Sequence, residues 1–344
     1  MATSRYDLAV IGTGVAGLAA GMYAARLNLR TLLIGNAGEG SAALDIGGTI
    51  TLTDVVENYP GFVKLTGQEL AEKLHEHTRS YPLVEFKNAW VQSIDRGGHC
   101  FFLHVGDEVF QASTVLFATG TRHRELKVPG HDRFRNKGIS YCALCDGPLY
   151  RGKTVAVVGG SDSAAKEALV LAEQAGRVYL IARGAELRAE PINRTRVGTH
   201  PKITVIPSTN VVAVEGEQKV ARAVMDRPFN GSPTLALDAV FVAIGVIPLS
   251  DLAKSLGVAV NPRGEIMMDR NSRTNVPGIY AAGDVGDRPF KQAITGVAEG
   301  VVAAYSAFED LKGDVVCPCS DDETHPVRHE GVAPASAALP TGAP

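Results

Sequence analysis

Cys142-Ala143-Leu144-Cys145-Asp146 is the segment of this chain best equipped for chemistry. Two cysteines at this spacing close a small disulfide ring with little backbone movement. The C-x-x-C arrangement commonly lowers one thiol's pKa, and the thiolate is the form that attacks a disulfide. Asp146 stands directly after the pair, where it can carry the proton that thiol exchange requires. The same spacing is also half of a zinc site, which needs two further ligands. The nearest histidines are His123 and His131, and the end of the chain offers Cys317, Cys319, His325 and His329. Five cysteines in 344 residues do not make a disulfide framework: four sit in two close pairs, 142/145 and 317/319, and Cys100 stands alone.

Two glycine-rich turns flank the dithiol in sequence. Gly12-Thr13-Gly14-Val15-Ala16-Gly17 matches G-x-G-x-x-G after an apolar run and before an Ala- and Leu-rich one. In such a turn the first glycine permits the bend, the second lets backbone approach a pyrophosphate, and the third lets helix and strand pack closely. The helix then points its free N–H groups at the phosphates. Gly159-Gly160-Ser161-Asp162-Ser163-Ala164 repeats the plan just after the dithiol. Two nucleotide sites and a sulfur pair imply electrons passing from one cofactor, through another, to a disulfide. Gly35 and Asn36, where an acidic residue would read an NAD ribose, weaken a simple NAD site in the first fold and leave FAD open.

The elements that must position these residues are legible from apolar runs and their breaks. Strands are predicted at Tyr6–Ile11, Thr31–Ile34, Thr114–Ala118, Thr154–Val158, Arg177–Ala182, Ala239–Ile244 and Ile279–Ala282. Helices are predicted at Val15–Leu27, Gly67–Ser80, Asp162–Ala175 and Gln292–Leu311. Gly35–Gly48 reads as a loop, Val84–Phe110 as a small antiparallel excursion, and Val211–Val214 and Val220–Met225 as further short strands. The fold class is α/β, with two three-layer Rossmann-like domains and the second inserted in the first. The predicted division is 1–118 with 246–312, then 119–245, then a tail at 313–344. Gly331–Pro344 is Ala, Pro and Gly with almost no large apolar residue, which reads as disordered.

Composition removes other classes. A net charge of −3 with scattered Lys and Arg leaves no footprint for nucleic acid. No apolar run approaches membrane-spanning length and none at the start reads as a signal peptide, so the expected location is the cytoplasm.

Taken in order, six motifs resemble the low-molecular-weight thioredoxin reductases, a branch of the flavin-dependent disulfide reductases. They are Gly12-x-Gly14-x-x-Gly17, Val56-Glu57-Asn58-Tyr59-Pro60-Gly61, Ala118-Thr119-Gly120, Cys142-Ala143-Leu144-Cys145-Asp146-Gly147, Ala243-Ile244-Gly245, and Tyr280-Ala281-Ala282-Gly283-Asp284-Val285 with Gln292-Ala293. The glutathione-reductase branch carries its cysteines soon after the first helix, which does not fit. The resemblance spans about residues 5 to 312 and implies a homodimer that binds FAD and NADPH and reduces thioredoxin or a similar small redox protein. It implies FAD contacts at Gly12, Gly14, Ala16, Gly17, Gly48, Thr49, Asn58, Ala118, Thr119, Gly120, Gly283, Asp284, Lys291, Gln292 and Ala293. NADPH contacts would fall on Gly159, Ser161, Asp162, Ser163, Arg183, Arg188, Ile244 and Gly245. It further implies that Cys145 faces the flavin, Cys142 attacks the substrate disulfide and Asp146 is the acid/base. Alternation between two domain orientations is implied too, with hinges near 118–121 and 244–248.

Four departures from the family pattern carry expectations of their own. Ser161 replaces a glycine, where a side chain crowds the pyrophosphate. Gly184 replaces the middle arginine of the cluster that binds a 2′-phosphate, leaving Arg183 and Arg188, with Glu186 nearby. Thr49 stands where a longer glutamine is expected, in Gly47-Gly48-Thr49-Ile50, after extra residues around 41–46. Cys317-Pro318-Cys319 is foreign to the pattern; it reads as a relay or metal pair with His325 and His329, or as incidental cysteines. The weakened second site keeps a second class open: a flavoprotein of this fold fed by ferredoxin or a reduced deazaflavin, or a dithiol oxidase using oxygen.

Overall fold

The computed structural model describes residues 5–35, 46–53, 56–316 and 319. The loop expected at 36–45, Cys317, His325, His329 and the Ala/Pro/Gly tail lie outside the described residues.

The first half is a βαβ unit with additions. β1 (Arg5–Ile11) leads through the first glycine turn into α1 (Val15–Arg26) and then β2 (Thr31–Gly35). α2 (Gly67–Arg79) begins with a reciprocal cap, in which Thr66 Oγ1 accepts from Glu69 N and the Glu69 carboxylate accepts from Thr66 N. β3 (Val84–Asn88), β4 (Ser93–Gly97), β5 (Cys100–Val105) and β6 (Glu108–Phe117) follow. β3 corrects the reading of 84–110 as one antiparallel excursion. It pairs in parallel with β2 at the sheet's edge, and only β4 and β5 run antiparallel, onto β6. A run of five residues does not declare its partner, so the edge left open by β2 decides it.

The chain then crosses to a second sheet. β7 (Thr121–His123) is followed by α3 (His131–Phe134), β8 (Ile139–Ser140) and α4 (Ala143–Asp146). β9 (Thr154–Val158), α5 (Asp162–Gln174), β10 (Arg177–Ile181), α6 (Pro191–Thr199) and β11 (Ile203–Ile206) repeat the βαβ plan. β12 (Val211–Gly216), β13 (Val220–Phe229) and β14 (Ser232–Ala236) form an antiparallel sheet of their own, before β15 (Ala239–Val242) and β16 (Val246–Pro248). The last elements are α7 (Asp251–Ser255), β17 (Ile279–Ala281) and α8 (Ala293–Lys312).

The first sheet runs β3-β2-β1-β6-β5-β4, with β17 parallel to the C-terminal half of β6. β17 therefore returns to the first sheet from the far side of the second. The second sheet is all parallel, β11-β10-β9-β15-β8. Each is buried on two faces. Leu8, Val10, Leu33 and Leu116 pack toward α1 and α8, while Tyr6, Ala9, Ile34 and Phe117 pack against Phe101, Leu103 and Val258. Val155, Val157 and Leu180 meet Ala164, Ala168 and Leu171 of α5, and Ala156 and Val240 meet Val214 and Ala223 of the antiparallel sheet. These are the continuous apolar strands expected of covered parallel sheets. Between the sheets, β7 and β16 pair antiparallel, Thr121 opposite Pro248 and His123 opposite Val246. No helix among the described residues is long and apolar enough to cross a membrane.

Candidate functional site

Every glycine turn and the dithiol sit at the carboxyl ends of parallel strands, where open α/β sheets bind ligands. Gly12 follows β1 with φ +114°, and a Cβ there would lie 2.2 Å from the Ala118 carbonyl oxygen. A Cβ on Gly17 would lie 1.9 Å from the Gly12 carbonyl oxygen. Both are therefore held to glycine by backbone, which cannot yield. Gly14 is different. A Cβ there would meet only Gly47 O, at 3.7 Å, so its bare backbone faces open space at the start of α1. Gly48 closes on Gly14 from the other side, and Gly47 N donates to Thr13 O at 2.8 Å. Thr49 is exposed beside them.

α8 brings the rest of the first site into place. A Cβ on Gly300 would lie 2.1 Å from Ala16 O, so α1 and α8 pack backbone against backbone. This contact sets their N-termini side by side, with Gly283 against Ala16. Asn58 Nδ2 donates to Gln292 Oε1 at 2.9 Å, and Gln292 caps α8, whose first residue is Ala293. Lys291 Nζ donates to Asp284 O at 2.8 Å and to Glu265 Oε1 at 2.6 Å. Thr119 and Gly120 continue from Ala118, with Thr119 Oγ1 donating to Leu249 O at 2.6 Å. Burial pushes the Asp284 carboxyl above its usual range, against the pull of Lys291. Burial also raises Glu299, although Gly283 N donates to it at 2.8 Å. Glu299 and Glu265 escape sequence reading. Their partners lie 16 and 26 positions away, beyond any local spacing.

The dithiol arrives by β8. This strand pairs with β15, Ser140 opposite Phe241, and delivers Cys142 just past the sheet's end. Cys142 and Cys145 are joined, with Cα atoms 5.3 Å apart, so their sulfurs are not available as a pair of zinc thiolates in this state. Cys145 N donates to Cys142 Sγ at 3.0 Å. Ser140 Oγ donates to Asp146 Oδ2 at 2.6 Å and accepts from Cys142 N at 3.2 Å. Ser140 thus ties the carboxylate to the turn, a role its position six residues upstream does not announce. Cys145 is exposed to solvent.

At the second turn, a Cβ on Gly159 would lie 2.2 Å from Ala243 O. Ser161 turns its hydroxyl onto the helix, accepting from Ala164 N at 3.5 Å as the cap of α5. Asp162 is engaged locally: Glu190 N and Asn193 Nδ2 each donate to Oδ1 at 2.9 Å, and Lys166 lies 2.9 Å from Oδ2. Burial works against the charge of Asp162, but these donors hold its pKa below the usual value. Ser163, Arg183, Arg188, Ile244 and Gly245 are exposed. Glu186, expected to oppose a phosphate, is 3.8 Å from Arg194. The two units also touch directly, Arg196 on α6 meeting Glu57 at 3.2 Å.

Cys100, isolated in sequence, has a sulfur partner in space. Cys100 on β5 is joined to Cys319. The two are 219 positions apart, and only the fold of the first sheet brings them together.

Residues 6–300 match the model of the pyridine nucleotide-disulphide oxidoreductase family. The chain belongs to this family. A thioredoxin reductase of Treponema pallidum is 38% identical over 304 residues, 88% of this chain and 96% of that protein. This places the chain in the thioredoxin reductase branch of these FAD-dependent oxidoreductases. A component of the alkyl hydroperoxide reductase of Pseudomonas putida is 37% identical over 90% of this chain, which spans 59% of that relative's length. Among solved structures, the Lactococcus lactis thioredoxin reductase in its FR conformation superimposes with a TM-score of 0.84 at 33% identity, covering 90% of this chain and 99% of that one. The T. acidophilum thioredoxin reductase gives 0.82 at 32% identity, covering 89% and 98%. The oxidoreductase fold therefore binds a flavin and a pyridine nucleotide.

Proposed function

We propose that the protein is an NADPH-dependent thioredoxin-disulfide reductase, with residues 1–118 and 246–312 holding FAD and 119–245 holding NADPH and the dithiol. The observation that carries the reading is the placement of Cys142, Cys145 and Asp146 at the same sheet end as the Gly159 turn. FAD fits the first site: Gly14 leaves open space at the head of α1, and beside it the half-buried Asp284 carboxyl accepts no side-chain or backbone hydrogen bond from the described residues. A hydroxyl of bound FAD would supply a donor there. Bound FAD serves as the two-electron carrier between nicotinamide and disulfide.

The chain's own residues perform the remaining work. Gln292 and Ala293 set the N-terminus of α8, whose dipole favours negative charge, beside the site. Cys145 receives electrons and leaves Cys142 as the thiolate that attacks the partner's disulfide. Asp146, held by Ser140, moves the proton. With Arg196 on Glu57 and Cys145 in solvent, this arrangement presents the dithiol to a partner. Bringing Cys145 to the flavin requires rotation about β7 and β16. A small redox protein in the cytoplasm is the partner and a homodimer the working form.

The Ser161 cap favours one second reading. Its hydroxyl occupies the Ala164 N–H that a phosphate would otherwise take. With Gly184 lacking an arginine fork, the electron donor is then ferredoxin or a deazaflavin, or the enzyme oxidises a dithiol with oxygen. Oxygen-free protein mixed with NADPH tests both. Rapid loss of flavin absorbance, coupled to thioredoxin reduction, supports the reductase. Bleaching by a reduced dithiol but by neither NADPH nor NADH removes the NADPH assignment.

Gly184→Arg restores the missing fork. A Cβ at 184 would lie 3.2 Å from the Glu186 carbonyl oxygen, a tight contact that this exposed turn must relax by a few tenths of an ångström. The variant is expected to lower the KM for NADPH by about tenfold without changing that for NADH, in keeping with a bidentate phosphate contact. Equal effects on the two nucleotides would disprove a 2′-phosphate site at Arg183 and Arg188.

A further inference from the structure

Sulfur chemistry that the dithiol site does not use sits on the first sheet. Cys100 opens β5, is fully buried, and is bonded to Cys319, with Cα atoms 5.4 Å apart. Cys319 is only partly buried. Gln111, on β6 and itself buried, donates Nε2–H to Cys100 Sγ at 3.1 Å. Arg5 Nε donates in turn to Gln111 Oε1 at 3.3 Å. Ser113 Oγ accepts from Cys319 N at 3.1 Å. Just upstream, Val315 N and Val316 N both donate to Asp310 O, at 3.0 and 3.1 Å, and Val316 is buried. The S–S bond to Cys100 and the hydrogen bond to Ser113 hold Cys319 against β5 and β6.

The donors around Cys100 are better matched to a thiolate than to a disulfide. Disulfide sulfur carries no charge and is a weak acceptor. A buried amide N–H with a guanidinium behind it gains strength when the sulfur becomes negative, and it makes that sulfur the better leaving group. The two sulfurs are also unequal in access. Cys319 is partly exposed, while Cys100 is wholly buried in the sheet, so attack from solvent is directed to Cys319.

We propose that Cys100–Cys319 is a second thiol–disulfide exchange site, opened and closed by dithiols, that latches the chain beyond α8 onto the first sheet. A thiolate of the incoming dithiol attacks Cys319 Sγ. The Cys319–Cys100 bond breaks, and its electron pair leaves on Cys100 Sγ beside Gln111. The dithiol's second sulfur then attacks its first, and Cys319 departs as a thiolate. The two protons lost by the dithiol reach Cys100 and Cys319. The dithiol ends oxidised to a disulfide and the protein pair reduced to two thiols.

The test uses neither nucleotide nor turnover, so it stands apart from the reductase assignment. The full chain is equilibrated without oxygen in graded ratios of reduced to oxidised dithiothreitol. Thiols are trapped with N-ethylmaleimide and located by peptide mass spectrometry. Cys100 and Cys319 are expected to gain label together, in one reversible two-electron transition. Trypsin cleavage after Lys312 should accelerate at least tenfold across the same transition, as local tethering is lost. Cys319→Ser should cleave at the fast rate at every ratio. Arg5→Gln should slow opening about threefold or more, with its fold checked by circular dichroism, as a milder variant than one at buried Gln111. Three results overturn the proposal: Cys100 and Cys319 still joined when Cys142 and Cys145 are fully reduced, both labelled in the fully oxidised protein, or opening in Arg5→Gln at the unaltered rate.

Discussion

Cys145→Ser is expected to lower NADPH-driven disulfide reduction by roughly a thousandfold or more while leaving flavin bleaching by NADPH within about twofold of wild type. The two effects separate because the residues involved belong to different sites. The nucleotide turn at Gly159 and the first-sheet cradle keep every contact, since Cys145 is exposed and its backbone N–H meets only Cys142 Sγ. What disappears is the exchangeable bond. A serine oxygen cannot form or release one, and Cys142 alone gives a mixed disulfide that has no resolving thiol. Asp146→Asn should be gentler, about ten- to a hundredfold, because Ser140 still orders the turn through Cys142 N. Stopped-flow absorbance for bleaching, with a steady-state thioredoxin assay for reduction, reads both halves. If Cys145→Ser also abolishes bleaching, the dithiol is part of the nucleotide-to-flavin path and the assigned order of electron flow is wrong.

Glu167→Gln should stabilise the protein above pH 8 and leave it unchanged near pH 4. Glu167 lies on α5 between Ala164 and Leu171, on the side packed into the second core. Its Oε2 is buried without a hydrogen-bond partner, and burial pushes the carboxyl from 4.5 up to about 8. The folded state therefore prefers the neutral acid, whereas the unfolded chain ionises from 4.5 upward. The associated stability is complete below the unfolded value and is lost as pH rises through about 8. Converted at 1.36 kcal/mol per unit, the loss is on the order of 5 kcal/mol as an upper bound. Glutamine keeps the shape and never ionises. Its Tm should exceed that of wild type by about 5–10 °C at pH 8.5, and the two curves should converge toward pH 4. Parallel Tm–pH curves would show that the carboxyl finds a partner and is not a buried acid.

The chemistry of this chain was largely written in local spacing. The first glycine turn was legible from sequence because much of its demand is local: a positive φ at Gly12, and a Gly12 carbonyl 1.9 Å from any Cβ at Gly17. The Cys142/Cys145 ring is likewise closed by a single short stretch of backbone. The family followed from several such local signals standing in one order, and the two doubly covered sheets followed from their apolar strands. Pairings between distant segments were not legible, since many combinations of short apolar runs bury equal area. The parallel edge strand β3 depended on which side of β2 was left open, and the partner of Cys100 depended on where the chain after α8 was led. Side-chain direction was decided later still. Ser161 was foreseen as a small obstruction, but only the geometry at Ala164 shows its hydroxyl turned onto the helix. Glu167 reads in sequence as an ordinary helical acid, and tertiary packing alone removes its carboxyl from water, because solvation is a property of the neighbours and not of the residue.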